Sequence, residues 1–143
     1  MQLNLYKQAT TRVPVKAMRQ LFAEVVRREA SPRWQAQINL VFTTDKRIRT
    51  LNHEYRDKNK TTDVLSFNLD RPEQPDAVFG EVYISVQTAA RQARALKHSL
   101  AHEYLRLACH GFMHLFGYDH HEDREAERME AREQRYLAKV VGK

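Results

Sequence analysis

The chain has 143 residues, 42% of them hydrophobic and 29% charged, the balance of one folded domain over residues 1–143. It excludes a bilayer-crossing helix, since no apolar run approaches the roughly 20 residues required, and no membrane partner is expected. The formal charge of +6 is uneven, +7 over residues 1–66 and −1 over 67–143, and such a positive half favours polyanions such as nucleic acid.

The N-terminal stretch MQLNLYKQATTRVPV lacks the apolar core of a secretory signal. A single cysteine, Cys109, rules out an internal disulfide and a cysteine-rich zinc module. A reducing cytoplasm is the expected compartment.

Gln2 to Lys7 alternates, with Leu3 and Leu5 on one side, and predicts a short strand. Pro14 suits a first helical turn. Val15, Met18, Leu21, Phe22, Val25 and Val26 then recur at helical spacing until about Ala30, where Ser31-Pro32 ends the helix. Ala36 to Thr43 reads as a second strand, with Ile38, Leu40 and Phe42 on one face. Thr44 or Asp45 caps a helix carrying Ile48, Leu51, Asn52 and Tyr55. Arg56 to Thr62 is a polar, positively charged loop by composition.

Asp63 to Asn68 is a third strand, and Leu69 to Val78, with Pro72 and Pro75, reads as a hairpin-like excursion. Gly80 to Ser85 is a fourth strand. Three helices follow, at about 86–96, 100–116 and 121–140. The order β-α-β-α-β-β-α-α-α predicts an α+β domain, a mixed sheet of about four strands packed with about five helices.

The chemistry concentrates in Cys109-His110-Gly111-Phe112-Met113-His114-Leu115-Phe116-Gly117-Tyr118-Asp119-His120-His121. His110 and His114 are four apart on a predicted helix, so both imidazoles share a face, one turn apart. Gly117 can end the helix in a left-handed conformation and turn the chain back. His120 then supplies a third nitrogen. Three neutral imidazoles with an open fourth position is the catalytic zinc pattern, and one zinc ion per chain is expected. His121 competes for the third place; its spacing from the glycine favours His120. Zinc-protease motifs carry a glutamate directly after the first histidine as general base, where this chain has Gly111.

HGFMHLFGYDHH resembles the H-G-x-x-H-L-x-G-Y-D-H signature of the YbeY family, bacterial metal-dependent endoribonucleases of rRNA maturation. Leu51–Phe67 (LNHEYRDKNKTTDVLSF) is similar to the family's L-N-x-x-Y-R-x-x-x-x-T-D-V-L-S-F block. GEVYIS resembles its G-D-I-x-I-S strand, with Glu81 for the usual aspartate, and EDREAERMEAREQRYL resembles its C-terminal helix. The resemblance implies a small α+β domain with the zinc histidines at a cleft. It implies His110, His114 and His120 as ligands and Arg56 as the residue that serves RNA cleavage. It further implies a zinc-dependent endoribonuclease of single-stranded RNA, acting at the 3′ end of small-subunit rRNA and in ribosome quality control, with the ribosomal small subunit and its proteins as partners. A zinc metallopeptidase-like hydrolase and a non-catalytic ribosome- or rRNA-binding factor with a structural metal are the alternatives.

The residue chemistry gives each implied position a task. A guanidinium fork at Arg56 holds two phosphate oxygens as charge gathers on them. Arg47, Arg49, Lys58 and Lys60 suit an RNA backbone but equally a solvated face, and Tyr55 and Tyr118 suit base stacking or simple packing. Asp63 and Ser66 line a cleft or cap a turn. Asp119 is the leading candidate to accept a hydrogen bond from a ligand imidazole, and Glu103, seven residues before His110, the weaker one. Cys109, about 100° round the helix from His110, reads as a small buried residue, and His53, His98 and His102 as ordinary ones.

Overall fold

The computed structural model describes residues 2–29, 35–56, 64–69, 73, 77–116 and 123–140; for 55, 56, 77, 78 and 123–126 the backbone alone is described. Nine elements follow in chain order: β1 (Gln2–Lys7), α1 (Val15–Glu29), β2 (Gln35–Thr43), α2 (Asp45–Arg56), β3 (Val64–Asn68), β4 (Ala77–Ser85), α3 (Val86–Leu96), α4 (Leu100–Leu115) and α5 (Asp123–Val140). The four described strands form one mixed sheet in the order β1-β2-β4-β3. β1 and β4 run parallel to β2, and β3 is the antiparallel edge. The α+β architecture read from the sequence is therefore the one observed.

Several boundaries differ from the sequence reading by one to three residues, two of them notably. Arg56 closes α2 instead of opening the loop, and β4 begins at Ala77, inside the segment read as an excursion. Ala77 pairs with Gln35 across the parallel ladder, so long-range pairing extends the strand past what local composition suggested.

Alternation along the strands divides the helices between two faces. Ile38, Leu40, Phe42, Val82 and Ile84 point to one side and join Met18, Leu21, Phe22 and Val25 of α1 with Leu107, Phe112 and Met113 of α4 in the main core. Leu65, with Phe67 and Tyr83, points to the other side, where Ile48 and Leu51 of α2 cover it. Burying an aliphatic side chain of this size contributes about 1.5–3 kcal/mol, so this layering dominates the stability.

Capping fixes where the later helices begin. The Ser85 hydroxyl accepts from Thr88 N and the Ser99 hydroxyl from His102 N, meeting an amide that would otherwise lack a partner. Lys97 takes the left-handed conformation (φ 57°) as α3 ends, which lets the chain reverse into α4. Asp45 ties the start of α2 to α3, accepting from the Ser85 and Thr88 hydroxyls and from Arg91. Burial pushes its carboxyl upward, but these three donors outweigh it and the net shift is down.

α5 is held to α1 by charge as well as packing. Glu24 accepts from Lys139 of α5 at 2.5 Å and from Arg27 and Arg28 at 2.8 Å. Lys139, then Arg28 and Arg27, draw its carboxyl from an ordinary 4.5 down to about 2. Because the folded value is the depressed one, this stabilisation is complete above pH 4.5 and lost as pH falls toward 2. Thermal melts across that interval should show Glu24→Gln losing less Tm on acidification than the wild type. Identical pH slopes for the two proteins would remove Glu24 from the acid response.

Candidate metal centre

α4 is the central helix, and its seat on the sheet decides where its histidines point. A Cβ on Gly111 would stand 2.6 Å from Val82 Cγ1 and 3.2 Å from the Ser66 hydroxyl, and one on Gly80 would stand 2.6 Å from Leu115 Cδ1. Gly111 therefore rests directly on β4, and the next turn, at Leu115, rests on the gap left by Gly80. The Ser66 hydroxyl donates to the Gly111 carbonyl at 3.4 Å, joining edge strand β3 to the same turn. With Gly111 and Leu115 facing the sheet, His110 and His114 sit about 100° further round the helix. That turn brings the pair out of the core toward α5, and both rings are half-buried.

The two rings meet edge to face, centroids 4.7 Å apart at 72°, with their Nε2 atoms converging to 3.1 Å. His110 Nδ1 donates to Glu133 Oε1 of α5 at 3.0 Å. A carboxylate only accepts, so in the neutral ring the proton sits on Nδ1 and the Nε2 lone pair faces His114. Two nitrogens bound to one tetrahedral ion at roughly 2.0–2.1 Å stand about 3.3 Å apart. The observed separation fits that geometry with little movement, so these residues suit a zinc ion. No cluster of three His, Cys, Asp or Glu side chains able to hold a metal occurs among the described residues. His120, with His121, Gly117, Tyr118 and Asp119, lies outside them.

Arg56 is the last residue of α2, and Tyr55 precedes it; their side chains, with Lys58, Lys60 and Asp63, are outside the description. Arg47 lines a cleft of about 490 Å³ between α2 and β3–β4, together with Leu51, Phe67, Glu81 and Tyr83. Arg49 and His53 are exposed. Cys109 is fully buried, and burial, with Glu133 and Glu29 adding to it, pushes its thiol far up, which suits packing and not ligation.

Glu103 does not support His110. It is completely buried, salt-bridged to Arg106 and 2.7 Å from His98 Nε2. His98 in turn stacks on His102 at 4.2 Å. These four form their own anchor at the start of α4, so the two-turn spacing from Glu103 to His110 brought no contact.

Sequence reasoning missed Glu133. A usable signal was present in α5, whose buried positions Met129, Tyr136, Leu137 and Val140 follow helical spacing. Arg132 and Glu133 interrupt that stripe where apolar residues would be expected. Polar residues there need buried partners, and each has one: Glu29 for Arg132 at 2.8 Å, His110 for Glu133.

An α+β domain with two imidazoles converging from one helical turn, one braced by a carboxylate from the next helix, offers two of the nitrogens that a mononuclear metal site would use. The Endoribonuclease YbeY family matches residues 4–141, and the chain belongs to that family. The Endoribonuclease YbeY of Agrobacterium fabrum is 44% identical over 78% of this chain and 67% of its own length. That of Moorella thermoacetica is 44% identical over 74% of both chains. That of an Anaeromyxobacter species is also 44% identical, but the match spans only 57% of its length. The solution structure of TM1509 from Thermotoga maritima superposes with a TM-score of 0.69 at 26% identity, covering 99% of this chain and 90% of that one.

Proposed function

We propose that this protein is a zinc-dependent endoribonuclease of single-stranded RNA, acting in maturation of the small-subunit rRNA 3′ end and in ribosome quality control. Its partners are then rRNA and the small ribosomal subunit, and its compartment the bacterial cytoplasm. The observation that carries the reading is the 3.1 Å convergence of His110 and His114 Nε2 in a chain of the YbeY family. His110, His114 and His120 hold one zinc ion per chain. When bound, the ion supplies Lewis acidity at a phosphoryl oxygen.

The chain's own residues do the remaining work. Arg56, at the end of α2, offers two parallel N–H donors to the phosphate and is worth most when charge has gathered on it. The positive N-terminal half draws the RNA backbone in, with a strength that falls as salt rises. Gly111 cannot take a proton, which argues against peptide chemistry of the usual zinc type.

The test is zinc-loaded protein incubated with a fluorogenic RNA and a fluorogenic peptide, with and without chelator. RNA cutting that chelator abolishes and zinc restores is the expected result. Peptide cutting alone, or neither activity, would overturn it in favour of a peptidase or a binding-only factor respectively.

Arg56→Ala should keep its zinc and fold while single-turnover RNA cleavage falls roughly a hundredfold at saturating RNA, as for the loss of one transition-state donor. Arg56→Lys should recover only part, since an ammonium lacks the two-pronged contact. A normal rate at saturation would reduce Arg56 to one more surface charge.

A further inference from the structure

α5 delivers one side chain to the histidine pair, and the residues beside it fix where α5 lies. Glu133 reaches His110 Nδ1 at 3.0 Å, and only 13% of its side chain is exposed. One residue earlier, Arg132 donates to Glu29 Oε1 at 2.8 Å, and one turn later the Tyr136 hydroxyl donates to the same oxygen. Glu29 is the last residue of α1 and its side chain is 6% exposed. These contacts pin α5 within one turn on each side of Glu133, so its carboxylate cannot slide along α4.

We infer that Glu133 is a positioning residue that holds His110 as its Nδ1–H tautomer with Nε2 directed to the metal, and that Glu29, through Arg132 and Tyr136, keeps Glu133 in register. This inference rests on the metal reading proposed above. The physical case is that a neutral imidazole carries its proton on either nitrogen, and a ligand must carry it on the one away from the metal. A carboxylate on Nδ1 pays that selection before the ion arrives and stops the ring rotating. Partners of this kind are worth about tenfold to a hundredfold in metal affinity. Glu29 holds α5 through Arg132 and Tyr136, so its effect on His110 is expected to pass through α5.

The test combines two measurements on the intact chain. Zinc affinity, by competition with a chromophoric chelator, is measured for wild type, Glu133→Ala, Glu133→Gln, Glu29→Ala and the Glu29→Ala/Glu133→Ala double variant. Imidazole nitrogen shifts in the metal-free proteins report the His110 tautomer. Glu133→Ala should bind zinc about tenfold to a hundredfold more weakly with unchanged helical content, and its His110 should become a tautomer mixture. Glu133→Gln, whose amide oxygen still accepts, should recover part of the affinity. Glu29→Ala should show a smaller loss that disappears in the Glu133→Ala background, since a residue acting through another adds nothing once that one is gone.

Wild-type affinity in Glu133→Ala, or a wild-type His110 protonated on Nε2, would overturn the role of Glu133. An undiminished Glu29→Ala loss in the double variant would overturn the relay. A wild-type chain that takes up no zinc would refute the metal reading, and the tautomer measurement, which needs no metal, would still decide the Glu133 contact.

Discussion

Replacing His110 or His114 by alanine is expected to abolish RNA cleavage and strip most of the zinc while leaving the fold intact. Both rings are half-buried and lie off the face of α4 that packs on the sheet, so their loss opens no cavity in the main core. Structural zinc sites bind with about 10–16 kcal/mol shared among four ligands, so each nitrogen carries roughly 3 kcal/mol, or about two powers of ten in affinity. Removing His110 also leaves the Glu133 carboxylate without its imidazole donor, which adds to the local cost. Elemental analysis after dialysis, beside single-turnover cleavage, reads both effects. Full zinc in the double alanine variant would move the site elsewhere in the chain.

The second large effect is expected at Gly111. Its Cβ position lies 2.6 Å from one Val82 methyl and 3.1 Å from the other, and Val82 is fully buried on a central strand. A β-branched side chain there has one preferred rotamer and nowhere to retreat. Overpacking of this kind costs about 1–3 kcal/mol, against which the better helix propensity of alanine returns about 1 kcal/mol. The net cost of up to about 2 kcal/mol means Gly111→Ala should fold with a Tm lower by up to roughly 8 °C, at about 2–4 °C per kcal/mol for a chain of this size. Gly111→Glu adds a carboxylate pressed against the sheet with no cation provided for it, at several kcal/mol more. That approaches the whole stability of a typical domain, about 5–15 kcal/mol, so this variant should be largely unfolded. The glutamate of zinc peptidases has no room beside His110, which is a structural reason to read the site as something other than a peptidase. A stable, soluble Gly111→Glu protein would show that α4 does not sit on β4 as described.

The pair at the centre of the site was legible because its geometry is local. Four-residue spacing on a helix brings His110 and His114 together whatever surrounds them. The strands carrying Ile38, Leu40 and Phe42 or Val82 and Ile84 were legible for the same reason, since alternation is written into consecutive residues. What the sequence left hidden depends on contacts between distant segments. Glu133 meets His110 across 23 residues and Arg132 meets Glu29 across 103, and no periodicity predicts which carboxylate finds which ring. Glu103 shows the converse, for a favourable helical spacing lost to Arg106 and His98, which lie nearer. The early start of β4 was obscured because Gly80 breaks its apolar alternation, and only the Leu115 side chain packed there explains the glycine.

The most direct test of the account is anomalous diffraction at the zinc edge from crystals of the protein loaded with one equivalent of zinc. The expected result is a single peak within about 2.1 Å of both His110 Nε2 and His114 Nε2, with His120 as the third protein ligand and Glu133 retained on His110 Nδ1. A peak anywhere else, or none between the two imidazoles in protein that still cuts RNA, would contradict it.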